Sequence, residues 1–261
     1  MMTLVALITG ATGQIGKAIA REIAKTGQYS VVLACRNEER AKKTVAELIS
    51  DTKNHNISYR LVDTSLHNSI KSFAKSWEGP LHLLMNVASD TPRKRMETPE
   101  GIEVQFATNV LGYFWMMQEF SPVMAKSAPS KIVNVASYWA GDVDLDDLQF
   151  TRRSYDNDSC YRQSKACERM LSFYFAEKLK DSHVTVNVCH PGDVNSNLSR
   201  SLGFGGHETP EEGAATPVYV ATNSKLEKVT GKYFEHLKEI SCQFAKDQES
   251  IRKLVDYCEK F

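Results

Sequence analysis

A tyrosine and a lysine stand four positions apart in the segment YRQSK, as Tyr161 and Lys165. That spacing places both side chains on one face of a helix. A phenol with its ordinary pKa of about 10 is a poor base at neutral pH, unless a nearby cation stabilises the phenolate. The pair therefore predicts a tyrosine that exchanges a proton with a substrate oxygen, assisted by the lysine.

A second pair, Tyr174 and Lys178 in YFAEK, has the same spacing. At about 100° per helical residue, Tyr174 is turned by roughly 220° from Tyr161, so the two side chains point to nearly opposite faces. Only Tyr161 stands at the start of the predicted helix, beside the strand ends where a ligand would bind. We assign the proton transfer to Tyr161 and expect Tyr174 to pack in the core or at an interface.

A glycine-rich turn stands near the start of the chain, in LITGATGQIGKA. Gly10, Gly13 and Gly16 follow an apolar run and open a helical pattern. Glycines at such a place permit a tight turn and let backbone N–H groups approach phosphate oxygens. The turn predicts a site for a dinucleotide pyrophosphate, although a plain strand-to-helix turn is the alternative.

The second predicted strand ends in VVLACRN, which places Arg36 where an acidic residue would hold ribose hydroxyls. A guanidinium is suited to bidentate phosphate contact, so Arg36 favours NADP(H) over NAD(H). The alternative is a solvated arginine at a helix start. Asp63, at the end of the third strand, is expected to accept a hydrogen bond from the adenine amino group or to cap a helix.

Composition excludes several classes of protein. The 261 residues include 32 Lys+Arg and 32 Asp+Glu, so no net charge attracts nucleic acid. The six cysteines show no CxxC spacing and no pairing with histidine, which predicts reduced thiols and no metal site. No apolar stretch is long enough to span a bilayer, and no secretory signal is visible, so we expect a cytoplasmic protein without a transmembrane segment.

Short apolar runs alternate with longer amphipathic segments along the chain, which predicts parallel βαβ units. The sequence therefore predicts a single α/β domain over 1–261, a doubly wound Rossmann-type parallel sheet of about seven strands with helices on both faces. The candidate strands are Leu4–Thr9, Ser30–Ala34, Ile57–Val62, Leu81–Met85, Lys131–Val135, Val184–Cys189 and Lys232–Glu235. The candidate helices are Gln14–Lys25, Glu38–Ser50, His67–Trp77, Gly101–Ala125, Tyr161–Leu179 and Pro210–Thr222.

Two stretches fit no regular element, 138–160 and 195–209, and both follow strands on the expected ligand side. We interpret them as substrate loops, with inert surface loops as the alternative. The last stretch, 247–261, predicts a helix packed on the outside.

The motifs occur in the order seen in short-chain dehydrogenases/reductases, and this ordered set extends over essentially the whole chain. They are the glycine-rich turn, NVAS (86–89), TNVLG (108–112), Ser137 in KIVNVASYW, YRQSK and HPGDV (190–194). The chain thus resembles that family of oxidoreductases, which interconvert carbonyls and alcohols with a nicotinamide cofactor.

The resemblance implies a catalytic tetrad of Asn109, Ser137, Tyr161 and Lys165. In that tetrad Tyr161 is the general acid/base and Ser137 holds the substrate oxygen. Lys165 binds the nicotinamide ribose and lowers the tyrosine pKa, while Asn109 holds a water that extends the proton relay. The expected cofactor contacts come from Gly10, Thr12, Gly13, Gln14, Ile15, Gly16, Arg36, Asp63, Asn86, Ala88, Tyr161, Lys165, Pro191, Gly192, Val194 and Ser196. We expect His190, which precedes Pro191, to be structural.

Ser137 and Tyr161 are separated by 24 positions, a gap that resembles the retinol dehydrogenase and WW-domain-containing oxidoreductase branch of the family. The segments LACRN, EEGAATPVYVAT and VTGKYF look like the same branch, whose members generally act on lipophilic carbonyls and alcohols with NADP(H). No membrane segment precedes the first strand and no WW module is present, which puts membrane-bound retinoid chemistry in doubt. An apolar substrate would lie against Tyr138, Trp139, Leu198, Leu202 and Phe204, although Trp139 and Phe204 suit ordinary packing equally well.

Two positions depart from the family pattern. Ser89 stands where a glycine is usual, and Gln14 stands where single-domain members have their middle glycine. The resulting spacing is more typical of extended relatives such as sugar-nucleotide epimerases, but little chain remains after VTGKYF for their substrate domain. We expect Gln14 to lie near the cofactor.

These observations favour an NADP(H)-dependent enzyme that interconverts a lipophilic small-molecule carbonyl and its alcohol by hydride transfer with the cofactor, with reduction as the working direction. The alternative from another class is a cofactor-binding sensor or scaffold with little catalysis. The helices that hold Asn109 and Tyr161 are apolar on more than one face, and family members often pair through them. A homodimer or homotetramer is therefore expected.

Overall fold

The computed structural model describes residues 3–261 and contains one eight-stranded sheet. The strands are β1 Leu4–Thr9, β2 Tyr29–Cys35, β3 Ile57–Leu61, β4 Leu83–Asn86, β5 Ser130–Val135, β6 Val184–Cys189, β7 Tyr233–Glu235 and β8 Lys238–Ile240. Their order across the sheet is β3-β2-β1-β4-β5-β6-β7-β8. Because β1 lies between β2 and β4, the direction of winding reverses beside β1, where doubly wound folds bind their ligands.

The doubly wound sheet with helices on both faces is confirmed, and each of the seven predicted strands is present. All neighbouring pairs from β3 to β7 are parallel, whereas β8 runs antiparallel to β7. The sequence did not predict β8, because its three residues are all exposed and carry no apolar pattern.

The helices are α1 Gln14–Lys25, α2 Glu38–Thr52, α3 His67–Lys75, α4 Gly112–Lys126, α5 Asn157–Lys178, α6 Asn197–Ser201, α7 Pro210–Thr222 and α8 Gln248–Cys258. They cover the two faces of the sheet separately. Large apolar side chains of α3, α4, α5 and α8 form one core, which includes Phe120 and Phe175. On the other face α1, α2 and α7 pack on the strands through residues such as Ile19, Leu48 and Val220.

The start of the predicted helix Gly101–Ala125 is wrong, because Glu103 still pairs with Glu97 in an isolated β-bridge and helical residues begin only after it. A π-helical turn, Phe106–Leu111, precedes α4 and contains Asn109. Directly after it, a Cβ on Gly112 would lie 2.5 Å from the carbonyl oxygen of Thr64, so glycine lets the helix approach the end of β3. A π-helical turn adds a residue to one helical turn and is frequent at functional sites.

Both predicted loops contain helical residues at one end. The helix α5 begins at Asn157, inside the stretch 138–160, because the Asp156 side chain accepts a hydrogen bond from the Ser159 N–H and caps it. In the stretch 195–209, the short helix α6 begins with a capping box between Ser196 and Ser199. Neither segment has an apolar period, so the hydrophobic pattern could not predict it.

The predicted C-terminal helix is present as α8, and it packs on α5. Its buried residues Ile251, Leu254, Val255 and Cys258 join the core of that face. We expected copies of the chain to pair through the helices that hold Asn109 and Tyr161. Part of the surface of α5, which holds Tyr161, is instead covered by α8. The homo-oligomer stays a prediction, and sedimentation of the purified protein tests it.

The three glycines of the turn between β1 and α1 have unequal roles. Gly10 has a φ of +65°, and a Cβ there would lie 2.7 Å from the Ala88 Cα. A Cβ on Gly16 would lie 2.4 Å from the Gly10 carbonyl oxygen. At Gly13 the same distance is 3.2 Å, and its backbone is extended with a φ of −80°. Close backbone approach therefore requires glycine at positions 10 and 16 more than at 13.

We expect Gly16→Ala to lower the free energy of unfolding by about 2 kcal/mol, because overpacking costs roughly 1–3 kcal/mol. Helix propensity alone predicts the opposite sign, since alanine stabilises a helix by about 1 kcal/mol relative to glycine. Gly13→Ala is the matched control, with an expected loss below about 1 kcal/mol. Urea unfolding of both variants measures the difference, and equal or increased stability of Gly16→Ala would contradict the close approach.

Candidate active site

A cleft of about 540 Å³ opens at the carboxyl ends of β1, β2, β4 and β5. The glycine-rich turn forms one side, and the start of α5 with the segment after β6 forms the other. Of the residues predicted to hold a cofactor or substrate, those that line the cleft are Gly10, Thr12, Gly13, Gln14, Ile15, Gly16, Arg36, Ala88, Tyr161, Lys165, Pro191, Ser196 and Leu198. Residues more than 180 positions apart along the chain therefore line one cleft, as the topology requires.

Four predicted cofactor contacts are engaged elsewhere. The buried Asn86 amide donates to the Asn134 side chain, 2.9 Å away, and so joins β4 to β5. The Asp63 carboxylate accepts hydrogen bonds from the backbone N–H and hydroxyl of Ser65. Gly192 lies against the Glu208 carboxylate, and Val194 pairs with Glu208 through its backbone. Cofactor contact by Asp63, Asn86, Gly192 and Val194 stays a prediction.

The cleft also contains residues that the sequence analysis missed. Arg40 lines it beside Arg36 and donates to the Thr12 carbonyl at 3.0 Å. Arg36 lies 3.5 Å from the Asp90 carboxylate, which faces the same cleft. The sequence does contain a signal for Arg40. Asn37 suits the N-cap position of α2, where its side chain accepts from the Arg40 N–H, so Arg40 lies on the first turn of that helix. Two guanidinium groups thus lie at this end of the cleft.

Asn109 links the cleft to the helix that carries Tyr161. Its side-chain oxygen accepts from the Asp90 N–H at 2.9 Å, and its amide donates to the Asp90 carbonyl and to the Ser164 hydroxyl, each at 3.1 Å. Ser164 in turn donates to the Tyr161 carbonyl at 2.8 Å. Ser89 also donates to Asn109, so its side chain is accommodated where relatives were expected to need glycine.

Tyr161 and Lys165 lie on the first turns of α5, and both are almost completely buried, with 6% and 2% of their surface exposed. The Lys165 Nζ lies 5.4 Å from the centre of the Tyr161 ring. Ser137 lies two residues after the end of β5, where its hydroxyl accepts a hydrogen bond from the Trp139 N–H at 3.2 Å, and its proximity to Tyr161 lowers the pKa of that phenol. The structure therefore brings Ser137, Tyr161 and Lys165 together near the end of β5, and Asn109 is joined to the backbone of Tyr161 by two hydrogen bonds through Ser164.

The pKa of Tyr161 is raised, chiefly by burial and next by the negative charge of Glu168. The Lys165 ammonium, which the family resemblance expects to lower that pKa, is paired with the Glu168 carboxylate at 2.7 Å. Its effect on Tyr161 stays a prediction. The raised pKa keeps Tyr161 protonated at neutral pH, in the form that donates a proton.

His190 fits the structural role expected for it. Its backbone N–H donates to the Phe234 carbonyl at 2.9 Å, and its ring packs against Tyr138 with 4.7 Å between centres. Burial lowers the pKa of His190 to about 3, so the imidazole is neutral near physiological pH.

Three of the five predicted substrate residues form an aromatic cluster. The rings of Trp139 and Phe204 lie 4.2 Å apart, and Tyr138 packs edge-on against Trp139. Leu198 lines the cleft, and Leu202 ends the short helix α6 nearby. Tyr174 lies away from this cluster and packs edge-on against Phe175, as expected for core packing.

Gln14 joins the glycine-rich turn to the second loop. Its side-chain oxygen accepts from the Asn197 N–H at 2.7 Å, and its amide donates to the Asn195 carbonyl at 3.4 Å. On the other side of α6, the Ser201 carbonyl accepts from the Asn157 side chain at 3.1 Å. The second loop is therefore tied to both sides of the cleft.

Within residues 3–261, no cluster of three or more histidine, cysteine, aspartate or glutamate side chains is arranged to bind a metal ion. Within the same range, every helix is too short or too polar to cross a bilayer.

The sequence profile of the short chain dehydrogenase family matches residues 4–204. Retinol dehydrogenase 13 of Homo sapiens is 32% identical, over 95% of this chain and 81% of that protein. Human polyprenol dehydrogenase is 30% identical, over 90% of this chain and 77% of that protein. A crystal structure of an uncharacterized protein from Mycobacterium paratuberculosis matches with a TM-score of 0.82 at 22% identity, over 98% of this chain and 92% of that one.

The fold, the ordered motifs and these relatives agree with one another. The glycine-rich turn, Ser137 and the Tyr161–Lys165 pair all lie within the matched segment. The chain belongs to the short-chain dehydrogenase family of oxidoreductases, in the branch of the retinol dehydrogenases.

Proposed function

We propose that this protein is an NADP(H)-dependent oxidoreductase that interconverts a lipophilic carbonyl and its alcohol, with Tyr161 as the proton donor and acceptor. The observation that carries the proposal is the buried pair of Tyr161 and Lys165, which lines a cleft that Arg36 and Arg40 also line, with the buried Ser137 nearby. A proton-transferring residue and a phosphate-binding group on one cleft are the two requirements of nicotinamide-dependent carbonyl chemistry.

The cleft fits a dinucleotide. The N-terminus of α1 points its free N–H groups into the glycine-rich turn, where a pyrophosphate would be held. Arg36 and Arg40 would bind the adenosine 2′-phosphate that distinguishes NADP(H) from NAD(H). When bound, the cofactor supplies or accepts the hydride.

The residues of the chain supply the proton and position the substrate. Ser137 would hold the substrate oxygen, and Tyr161 would donate its proton to that oxygen as the carbonyl becomes an alcohol. Because burial raises the pKa of Tyr161, the residue starts in the form that reduction needs. Asn109 fixes the segment at 89–90 against α5, so the cleft and the proton donor keep one geometry.

A lipophilic substrate is supported by the aromatic cluster and by the relatives. Tyr138, Trp139 and Phe204 offer apolar surface next to Ser137, between the two loops. Two of the relatives are named for retinol and polyprenol, which are long apolar alcohols. The shared property is an apolar chain that ends in a hydroxyl or carbonyl group.

We expect Tyr161→Phe to lower kcat/KM for carbonyl reduction by about 10²–10⁴-fold, the usual contribution of general acid–base catalysis. NADPH oxidation over a panel of aldehydes, ketones, quinones and retinoids measures it. Tyr174→Phe is the matched control and should retain activity, because that ring lies away from the cleft. Unchanged turnover in Tyr161→Phe would contradict the mechanism, and NADPH binding without turnover in the unmodified protein would favour a sensor.

Removing both guanidinium groups tests the cofactor. We expect Arg36→Gln with Arg40→Gln to raise the KM for NADPH by about 10- to 100-fold, since a hydrogen bond to a charged group is worth about 1.5–3 kcal/mol. The KM for NADH should stay nearly constant. Arg60→Gln is the control, because Arg60 bonds to Ser76 outside the cleft. Equal losses with NADPH and NADH would contradict recognition of a 2′-phosphate.

A further inference from the structure

Glu168 is a buried carboxylate next to the proposed proton donor. It lies on α5 one turn after Lys165, and none of its surface is exposed. Its Oε1 accepts a hydrogen bond from the Lys165 Nζ at 2.7 Å, while its Oε2 has no partner among the described residues. Burying a charge is costly unless it is paired, so this carboxylate depends on the lysine.

The Lys165 ammonium has three N–H donors, and the structure accounts for two of them. One donates to Glu168 and one to the Val135 carbonyl at 3.4 Å. The same carbonyl accepts from the Tyr113 hydroxyl at 3.1 Å. Glu168 and Val135 therefore fix the position of Lys165, and the third donor remains for the cleft that Lys165 lines.

Five titratable or charged groups from α4 and α5 act on Glu168 or respond to its charge: Lys165, Arg169, Tyr161, Cys167 and Tyr113. Arg169 is itself engaged, because it donates to the Ser137 carbonyl and to the Tyr233 hydroxyl and lies 3.9 Å from the Glu235 carboxylate. Lys165 is thus the direct counter-ion of Glu168.

The charges explain how Glu168 acts on Tyr161. A lysine near a phenol stabilises the phenolate, and a carboxylate on that lysine cancels much of its field. The negative charge of Glu168 accordingly raises the pKa of Tyr161, after burial itself. Burial raises the pKa of Glu168 to about 7, so the carboxylate is ionised above neutrality and protonated below it.

We propose that Glu168 is a positioning residue that holds Lys165 and offsets its charge, so that Tyr161 keeps its proton and favours donation to a carbonyl. The inference rests on the proposed role of Tyr161. It follows that alcohol oxidation, which needs the phenolate, is confined to higher pH than it would be with an uncompensated lysine. A purely structural ion pair would stabilise the fold without moving the ionisation of Tyr161.

The test measures that ionisation directly, without cofactor or turnover. Tyr161 is replaced by 3,5-difluorotyrosine, whose fluorines make the phenol more acidic and report its ionisation by ¹⁹F NMR. We expect Glu168→Gln, which keeps the shape of the side chain and removes its charge, to lower the pH midpoint of this phenol's ionisation by about one unit, or about 1.4 kcal/mol. Glu168→Asp should stay near the unmodified protein.

The matched control is Glu177→Gln, which removes a carboxylate from another lysine pair three residues apart, with Lys180 on the surface. Solvent screens that pair, so its loss should leave the midpoint unchanged. Glu168→Leu is a second neutral variant of similar size with the same expected shift. A midpoint that stays constant or rises in both neutral variants overturns the proposal, as does failure of both to fold beside a folded Glu168→Asp.

A second measurement separates this inference from the proposed function. In Glu168→Gln the pH profile of alcohol oxidation should move down by the same unit, which gives about tenfold higher kcat/KM at a fixed pH below the midpoint. If the unmodified protein oxidises no alcohol, the proposed function fails, whereas the NMR midpoint still decides the effect of Glu168.

Discussion

The position of one buried cation constrains the whole site. Lys165 has almost no exposed surface, so the fold must supply acceptors for its ammonium group. Glu168 and the Val135 carbonyl provide them, one from α5 and one from the end of β5. That requirement fixes α5 against the sheet and sets Tyr161 at the edge of the cleft. The geometry of the candidate site and the packing of the sheet therefore depend on each other.

A second constraint keeps the two halves of the cleft in register. The π-helical turn before α4 directs the Asn109 side chain at both the backbone of Asp90 and the Ser164 hydroxyl. The strand β4 leads into the first of these segments and α5 contains the second. Gln14 and Asn157 then tie α6 to opposite sides of the cleft. A ligand would meet a site whose borders are already joined by hydrogen bonds.

Much of the fold was predictable because its strands are buried on both faces. A continuous apolar run such as Leu4–Ile8 of β1 has few alternatives to a buried strand when such runs alternate with amphipathic helices along the chain. The exposed β8 and the short α6 carry no such pattern, and their positions depend on the hairpin with β7 and on a capping box. The spacing of Tyr161 and Lys165 was equally readable, since a helix fixes the relation between residues four apart.

The contacts and burial around those residues could not be predicted from the sequence. The contact between Gln14 and Asn197 joins residues 183 positions apart, and only the folded topology creates it. Glu168 stands three residues after Lys165 in the sequence, but its burial, which decides its effect, depends on packing around α5. Arg40 lies four residues beyond Arg36, and only the packing of α2 against the glycine-rich turn brings its side chain to the cleft. Local spacing identifies the candidate groups, and burial in the folded protein sets their protonation.

The proposed reaction requires that NADPH held in this cleft transfers its hydride to a carbonyl carbon. The most direct measurement supplies the protein with NADPH that carries deuterium at the transferred C4 position and with a long-chain apolar aldehyde, and determines the mass of the alcohol formed. If the hydride comes from NADPH, the alcohol carries one deuterium on its carbinol carbon. An alcohol without deuterium, or no alcohol from any apolar carbonyl while NADPH binds, would contradict the proposed reaction.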